Sequence, residues 1–474
     1  MSEAIDPALW PAHCQAAAIR DRSLSSRELF DAIAARVERL NPAVNAVVTL
    51  DLERGVAGAR AADDATVRGE SQGPLHGLPV TIKDALAVAG MRSTGGAVEL
   101  RDHVPTHDAD AVARVLGAGA FCFGKTNVPR WSGDLQAFNE IFGTTNNPWD
   151  LTLVPGGSSG GAAAAVALGL TAFEIGTDIG GSIRVPSAYC GVAGHKPSWG
   201  LVPCGGYLDG PEGGVTEPDV NVHGPIARSV DDLELVLDVI AGPRPERAGA
   251  WSVALPPARH ERLDDLRVAV WADDVACPVS ADTAAAVLAA AQALSDGGAR
   301  VDHGARPPFD HAVAAALGNA LVGLAITPSL PDEVFAGMDP GAGGLASSHR
   351  AWLAMDRQRA RFRRGWAELF RDHDVLLCPV IARPPFPHLQ EGGFNDRVIA
   401  VDGVERPYAG LVWWTILIGM AYLPSTVVPV GRTAGGLPLG VQVVGPYLED
   451  RTTLAVARAL VDRCGGIEPP PMAR

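Results

Sequence analysis

The residues of this chain that could do chemistry are two serines in glycine-rich segments and one lysine upstream. Ser158 lies in Pro-Gly-Gly-Ser-Ser-Gly-Gly, and Ser182 follows 24 residues later in Gly-Thr-Asp-Ile-Gly-Gly-Ser-Ile-Arg. Lys83 comes directly after an apolar, strand-like stretch at residues 78–82. A serine hydroxyl becomes a good nucleophile when a base removes its proton, and a lysine is such a base when burial keeps it neutral. This set therefore predicts acyl transfer from an amide or an ester to water, without a histidine.

Another glycine motif, residues 119–126 (GAFCFGKT), matches the P-loop expression GxxxxGK[ST]. A phosphate-binding loop needs irregular backbone between a strand and a helix at the four variable positions. Here those positions are apolar and typical of a strand. The pattern therefore favours a strand that leads into a turn, and we expect no nucleotide site.

Residues 156–160 also match GxSxG, the nucleophile elbow of the α/β-hydrolases, in which Ser158 would be the nucleophile. That mechanism needs a downstream acid and histidine, and the available histidines include His195, His223, His303, His311, His373 and His388. The elbow requires a strand that runs directly into the serine, but residues 146–150 (NNPWD) and Pro155 predict a loop. A serine esterase that uses Ser158 stays open as an alternative with less support.

The composition is that of a globular protein and argues against a nucleic-acid partner. The chain has 474 residues, of which 47% are hydrophobic and 20% are charged, so it can bury a large core. Its formal net charge is −15, whereas non-specific binding to nucleic acid needs a basic surface. We therefore expect no nucleic acid among its partners.

Targeting and cysteine patterns predict a cytoplasmic protein without a membrane segment. The first residues have neither the basic nor the apolar region of a signal peptide. The most apolar window, residues 411–423, spans thirteen residues and predicts a buried helix, because a membrane-spanning helix needs about 20. The seven cysteines include no CxxC pair, which is typical of reduced thiols. Zinc-ligand spacing and HExxH are also absent from the sequence, so we expect no metal.

Helical and strand-like stretches alternate, which predicts an α/β fold with a mixed, twisted central sheet covered by helices on both faces. Ser25 and Glu28 form a capping box for an N-terminal helix, which Asn41-Pro42 is expected to end. Apolar runs predict strands at residues 78–82, 120–123, 267–271, 375–378 and 441–444. Helices are predicted at residues 110–116, 161–170, 282–294 and 348–370, and the uncharged 161–170 must be buried. Residues 242–262 resemble a surface excursion, and we expect a single domain over residues 1–474.

Several longer motifs carry a resemblance to a known family. They are residues 77–84, 124–127, 142–150, 155–161, 176–184, 194–197, 429–431 and 437–446. Together they resemble the amidase signature family, most densely between residues 70 and 205, and the combined pattern is too long for a chance match. Residues 131–140 (WSGDLQAFNE) look most similar to the stand-alone bacterial amidases of that family.

The resemblance implies a Ser–cis-Ser–Lys triad and the groups around it. Lys83 would be the base, Ser158 the bridging serine after a cis peptide bond, and Ser182 the nucleophile. The implied oxyanion hole consists of backbone amides of Ile179, Gly180, Gly181 and Ser182. The implied supporting groups around the triad are Ser159, Asp178 and Arg184.

These features predict an amidase that uses a small amide substrate and water, with no metal, no organic cofactor and no membrane partner. Esters and carbamates are chemically accessible to the same site. The catalytic chain of a tRNA-dependent amidotransferase, which shares the triad, is a further alternative. A binding protein with a dead site is disfavoured because Lys83, Ser158 and Ser182 are all present. The oligomeric state, a homodimer included, and the natural substrate stay open.

The sequence does not assign the acyl pocket. Its candidate lining residues, for which ordinary core packing is an equally good interpretation, are Trp131, Leu135, Phe138, Trp413 and Trp414. His195 stands in a turn where the family usually has an apolar residue, and we expect it to be structural.

Overall fold

The structure is a computed structural model that describes residues 6–210, 213–327 and 348–474. In chain order its strands are β1 Val47–Leu50, β2 Pro79–Lys83, β3 Phe121–Thr126, β4 Phe138–Asn139, β5 Gly143–Thr144, β6 Glu174–Asp178, β7 Ala193–Lys196, β8 Val222–Ala227, β9 Arg267–Val270, β10 Arg300–Asp302, β11 Val375–Pro379, β12 Val398–Val401, β13 Val404–Pro407, β14 Ser425–Arg432 and β15 Pro438–Val444.

Helices separate most of these strands, as an α/β fold requires. The α-helices are α1 Ala12–Arg20, α2 Ser26–Val44, α3 Leu52–Arg68, α4 Asp110–Gly117, α5 Gly160–Ala167, α6 Arg184–Cys190, α7 Val230–Ile240, α8 Ala281–Asp296, α9 His311–Ala325, α10 His349–Asp372, α11 Trp413–Gly419 and α12 Asp450–Arg463. Short 3₁₀ turns occur at Pro7–Leu9, Val98–Leu100, Arg130–Ser132, Pro245–Arg247, Leu263–Asp265, Tyr408–Val412 and Pro471–Ala473.

A large mixed sheet flanked by helices forms the centre, which confirms the predicted fold class. Its eight strands lie in the order β10-β9-β11-β15-β14-β7-β8-β6. The pairs β10–β9 and β9–β11 are parallel, and the remaining neighbours are antiparallel. A second sheet of order β1-β3-β2 meets the first at its β6 edge, where Ala172 N–H donates to the Pro79 carbonyl at 3.2 Å. Strands β2 and β6 are therefore neighbours that belong to different sheets.

The P-loop match at residues 119–126 lies in strand β3 rather than in a loop. Phe121–Thr126 pairs with β2 on one side and with β1 on the other, as the apolar pattern predicts. Lys125 is fully buried and donates to the Leu86 carbonyl and to Ser93 Oγ. The lysine is thus held by neutral oxygens within the protein, which confirms the strand interpretation.

The expectation that Asn41-Pro42 ends the first long helix is wrong. Helix α2 continues through Pro42 to Val44 and ends at Asn45, which has a left-handed φ of 55°. A proline removes one backbone N–H donor from a helix, but side-chain hydrogen bonds stabilise the end of this one. The Asn41 side chain accepts from Ala46 N–H at 2.9 Å and donates to the Val47 carbonyl at 2.8 Å. These bonds stabilise the end of the helix, which lies beyond the residue at which the sequence predicts it.

The two most apolar stretches lie in the interior, as predicted. All residues of α5 are buried, and a Cβ at Gly161 would collide with the backbone of Asn127. Residues 411–423 contribute to the Tyr408–Val412 turn and to the buried helix α11. Within the three described ranges, no helix has both the length and the apolarity to cross a bilayer. All seven cysteines are unpaired.

Residues 242–262 run between α7 and β9 with a single 3₁₀ turn before residue 263, and Trp251 is exposed there. The strands on either side, β8 and β9, belong to the same eight-stranded sheet. This arrangement agrees with the surface excursion that the sequence indicates. The single-domain assignment stays a prediction.

Candidate active site

Lys83 is the last residue of β2 and lies where the two sheets meet. It is fully buried and pairs in register with Thr126 of β3. Its Nζ donates to Ser158 Oγ at 2.7 Å and to Thr177 Oγ1 of β6, also at 2.7 Å. The lysine therefore connects Ser158 to the strand that leads to Ser182.

Burial changes the chemistry of this lysine. Removal from water lowers the pKa of Lys83 to about 7, against the opposing charges of Asp178 and Glu174. Near pH 7, Lys83 is therefore a neutral amine in a large share of the molecules. A free lysine, with a pKa near 10.4, would be almost entirely an ammonium at this pH. A neutral amine beside a hydroxyl can accept its proton.

Ser158 lies in a loop that packs closely against the backbone of residues 134–136. The Gly157–Ser158 peptide bond is cis, as the resemblance implies, and Ser158 is fully buried. Gly157 must lack a side chain because a Cβ there would lie 2.6 Å from the Asp134 carbonyl oxygen. The residues before it form turns and loops rather than a strand. The elbow interpretation of Ser158 is therefore wrong, because no strand runs into the serine.

Ser182 lies in the loop between β6 and α6 and is more accessible than the other two residues. It is 8% exposed, whereas Lys83 and Ser158 are 0% exposed. Ile179 and Gly180, which come shortly before it, are also partly exposed. Ser182 and the two residues therefore lie nearer to solvent than Lys83 and Ser158 do.

The four predicted oxyanion amides do not share one environment. Gly181 N–H donates to Asp178 Oδ1 at 2.8 Å, so this amide is occupied within the turn. Gly181 also has a φ of +120°, and a Cβ there would lie 2.8 Å from Thr415 Oγ1. The amides of Ile179, Gly180 and Ser182 have no acceptor among the described residues. These three amides are available to an oxyanion.

A buried ion pair fixes this loop. Arg184 and Asp178 are both fully buried, and the two hydrogen bonds between their side chains measure 2.8 and 3.0 Å. Burial opposes ionisation of Asp178, but the Arg184 charge and several hydrogen bonds outweigh it and lower the pKa to about 2. Arg184 also donates to the Thr415 carbonyl at 3.0 Å, and Thr415 Oγ1 donates to the Gly180 carbonyl at 2.7 Å. The loop is therefore held from both α6 and α11.

Ser159 connects the two serine segments. Its N–H donates to the Ser182 carbonyl at 3.1 Å, and its Oγ donates to the Thr177 carbonyl at 3.4 Å. The structure thus brings the two serine segments together, and Lys83 lies beneath them. Thr177, which anchors the lysine, is a functional candidate that sequence reasoning missed, although it directly precedes Asp178 in the motif.

The candidate pocket residues divide into two groups. Trp413 and Trp414 pack edge-to-face with Trp271, with ring centroids 5.7 and 5.1 Å away, and belong to an aromatic core cluster. Leu135 is also a core residue. Trp131 and Phe138 are only partly buried. The second group therefore stays a candidate for contact with substrate.

Two buried histidines, His195 and His223, are alternative candidates for the base. One is hydrogen-bonded to other residues, and the other is neutral. His195 of β7 bonds Thr426 Oγ1 at 2.9 Å and Asp450 Oδ1 at 3.1 Å, which supports the structural role expected for it. His223 of β8 faces Thr177 in register. Burial and then the Lys83 charge lower the pKa of His223 to about 3, so the ring is neutral and a very weak base.

Comparison with known proteins identifies the family of this chain. Residues 28–454 match the family profile described as Amidase, so the chain belongs to the amidase signature family. It is 33% identical over 468 residues to a chain of the glutamyl-tRNA(Gln) amidotransferase of Roseiflexus sp. (strain RS-1), with 92% of each chain covered. It is also 33% identical over 461 residues to an acylamidase of Rhodococcus erythropolis, with 93% of each chain covered. A bacterial aryl acylamidase structure has a TM-score of 0.81 at 26% identity, covering 96% of both chains.

Proposed function

We propose that this protein hydrolyses a carboxylic amide through a serine acyl-enzyme in which Ser182 is the nucleophile, Ser158 the proton relay and Lys83 the base. The observation that carries the proposal is the contact of 2.7 Å between Ser158 Oγ and a fully buried lysine amine. Family membership supports the reaction class, because the relatives include an acylamidase. Esters and carbamates are accessible to the same chemistry.

Acylation moves one proton along the relay. Neutral Lys83 takes the Ser158 proton while Ser158 takes the Ser182 proton, and Ser182 Oγ attacks the carbonyl carbon. The carbonyl oxygen becomes an oxyanion that accepts hydrogen bonds from amides of the β6–α6 loop, and one such donor is worth about 3–4 kcal/mol. The Lys83 ammonium then returns the proton through Ser158 to the leaving nitrogen, and the C–N bond breaks.

Deacylation uses the same relay again, with water in place of Ser182. Water attacks the ester carbonyl of the acyl-Ser182 while its proton passes through Ser158 to Lys83. The ester bond then breaks, Ser182 regains a proton from the relay, and a carboxylic acid leaves. No step uses a metal or an organic cofactor, so we propose none.

A second candidate is the catalytic chain of a tRNA-dependent amidotransferase. The 33% identity to a chain of such an enzyme over 92% of both chains favours it. In that case the same triad would release ammonia from an amide for a partner protein, and the expected absence of a nucleic-acid partner would not hold. The partly exposed 131–140 segment, which resembles stand-alone amidases, favours hydrolysis by the chain alone.

A substrate panel separates the two candidates. The purified chain alone should hydrolyse at least one aryl or alkyl amide, and Ser182→Ala at equal concentration is the control for background hydrolysis. The panel should contain anilides, primary amides, carbamates, esters and glutamine. Activity on glutamine alone, and only after partner proteins and tRNA are added, would favour the amidotransferase instead.

The proposed relay also predicts that no histidine is essential. His76→Gln, His195→Asn and His223→Gln should each keep amide turnover within about tenfold of the wild type, because none transfers the proton. His195→Asn should also lower the melting temperature, since Asp450 would lose a buried partner. Prolonged treatment with a chelator should leave turnover unchanged. A histidine variant that is folded by circular dichroism yet inactive would contradict the serine–lysine mechanism.

A further inference from the structure

The segment at residues 134–137 packs directly against the backbone around Ser158. A Cβ at Gly157 would lie 2.5 Å from a backbone nitrogen of this segment. A Cβ at Gly160 would lie 2.7 Å from the Ala137 side chain. Two glycines on either side of Ser158 therefore touch the segment. Because packed interiors leave little free space, a shift of the segment would move the serine as well.

Side-chain hydrogen bonds attach this segment, which is neither helix nor strand before residue 138, to the C-terminal part of the chain. Asp134 accepts from the Arg397 guanidinium and, at 2.8 Å, from the Tyr408 hydroxyl. Gln136 donates to the Leu389 carbonyl at 2.5 Å and accepts from Leu389 N–H at 2.9 Å. Arg397 also donates to the Leu389 carbonyl, at 2.8 Å, and lies over the Tyr408 ring. The two side chains and their partners therefore form one connected network.

Burial makes this network a firm constraint. The side chains of Asp134, Gln136, Arg397 and Tyr408 are all buried. If one partner of a buried ion pair moves away, the other charge is left without water or a counter-ion, which is strongly unfavourable. Asp134 and Arg397 therefore keep their two parts of the chain together. No step of the proposed reaction uses this carboxylate directly.

The part of the chain that anchors the segment also holds the nucleophile loop. Tyr408 begins a 3₁₀ turn that leads directly into α11. Thr415 of α11 donates to the Gly180 carbonyl at 2.7 Å. One continuous element therefore bonds to the segment that packs against Ser158 and to the loop that carries Ser182. The relative position of the two serines depends on both attachments.

We propose that Asp134 is a positioning residue for the proton relay. Its bonds to Arg397 and Tyr408 hold the segment in place, and the segment in turn fixes the backbone on either side of Ser158. The Ser158 hydroxyl is thereby kept at hydrogen-bond distance from Lys83, which proton transfer requires. The inference rests on the proposed function, in which this hydroxyl relays the proton.

The test is Asp134→Asn, which keeps the shape of the side chain but removes its charge. We expect kcat for an amide to fall by roughly tenfold or more, with KM little changed, because a displaced relay transfers its proton poorly. An activated ester, whose leaving group needs no proton, should lose less, so the ratio of amide to ester turnover should fall. Asp374→Asn removes a carboxylate from another buried ion pair, with Arg267. It should lower the melting temperature and leave the ratio unchanged.

Tyr408→Phe is a milder variant in case Asp134→Asn does not fold. It removes only the hydroxyl that donates to Asp134, and should lower the amide-to-ester ratio by about threefold or more. Tyr189→Phe is its matched control, because Tyr189 packs edge-to-face on Phe386, as Tyr408 does, but its hydroxyl donates to a carbonyl at 3.0 Å outside the network. This control should keep the ratio of the wild type.

The amide-to-ester ratio decides between positioning and a purely structural role. An unchanged ratio in a folded Asp134→Asn variant would overturn the inference. If that variant does not fold, an unchanged ratio in folded Tyr408→Phe would overturn it. A wild type that hydrolyses no amide would overturn the proposed function instead.

Discussion

Lys83→Ala should lower kcat/KM for an amide by roughly 10³-fold or more, because the relay would lose its only base. The loss should be smaller for an activated ester, whose leaving group departs without a proton, than for an amide, whose leaving nitrogen needs one. The measurement is kcat/KM for a matched amide and ester with the same acyl group. Circular dichroism should confirm that the variant is folded.

Lys83→Arg is the sharper control for this prediction. A guanidinium keeps the positive charge but stays protonated at every accessible pH, so it cannot act as a base. We expect no rescue of amide turnover. Substantial turnover in Lys83→Arg would mean that position 83 only needs a cation, and that the base lies elsewhere.

The pH profile of the wild type follows from the same side chain. Burial lowers the pKa of Lys83 to about 7, and in the proposed mechanism only the deprotonated amine is active. Activity should therefore be lost as pH falls below about 7 and should rise to a plateau above it. An acidic limb centred near 10, the value of a free lysine, would contradict the role of burial.

Ser182→Ala should abolish amide turnover, with a loss of roughly 10⁴-fold or more, because no acyl-enzyme can form. Ser158→Ala should also be severely impaired, since Lys83 would lose its contact of 2.7 Å with the relay. The two variants should differ in burst kinetics with an activated ester. Ser158→Ala should still release a slow burst of one equivalent, whereas Ser182→Ala should release none.

Thr152→Ala is a matched control for these serine variants. Thr152 is a hydroxyl residue of the loop before Ser158, and its Oγ1 donates only to the exposed Asp150. We expect its turnover to stay close to that of the wild type. A Ser182→Ala variant with turnover like that of Thr152→Ala would remove Ser182 from the mechanism.

The three candidate catalytic residues could be named from the sequence, but the contacts beneath them could not. Lys83, Ser158 and Ser182 lie in long motifs, so the resemblance assigns them residue by residue. Thr177 lies inside one of those motifs, but the sequence does not indicate that it contacts Lys83, because the two residues meet only where two separate sheets come together. Contacts of this kind depend on how the strands are arranged in space.

Side-chain hydrogen bonds to nearby backbone N–H groups also changed two details that the motifs indicate. The proline at position 42 indicates a helix end, but side-chain bonds from Asn41 carry the helix to Val44. Gly181 belongs to the oxyanion motif, but its amide is occupied by Asp178. The P-loop match, by contrast, could be assigned to a strand from its apolar positions alone.

The most direct test of the account is to locate the adduct of a fluorophosphonate probe. Trypsin leaves both serines on one peptide, residues 131–184, but further cleavage after Glu174 separates Ser182, on residues 175–184, from Ser158. Mass spectrometry should find the adduct on residues 175–184, and Ser182→Ala should abolish it. An adduct on the fragment with Ser158 that persists in an active Ser182→Ala variant would contradict the assignment of the nucleophile.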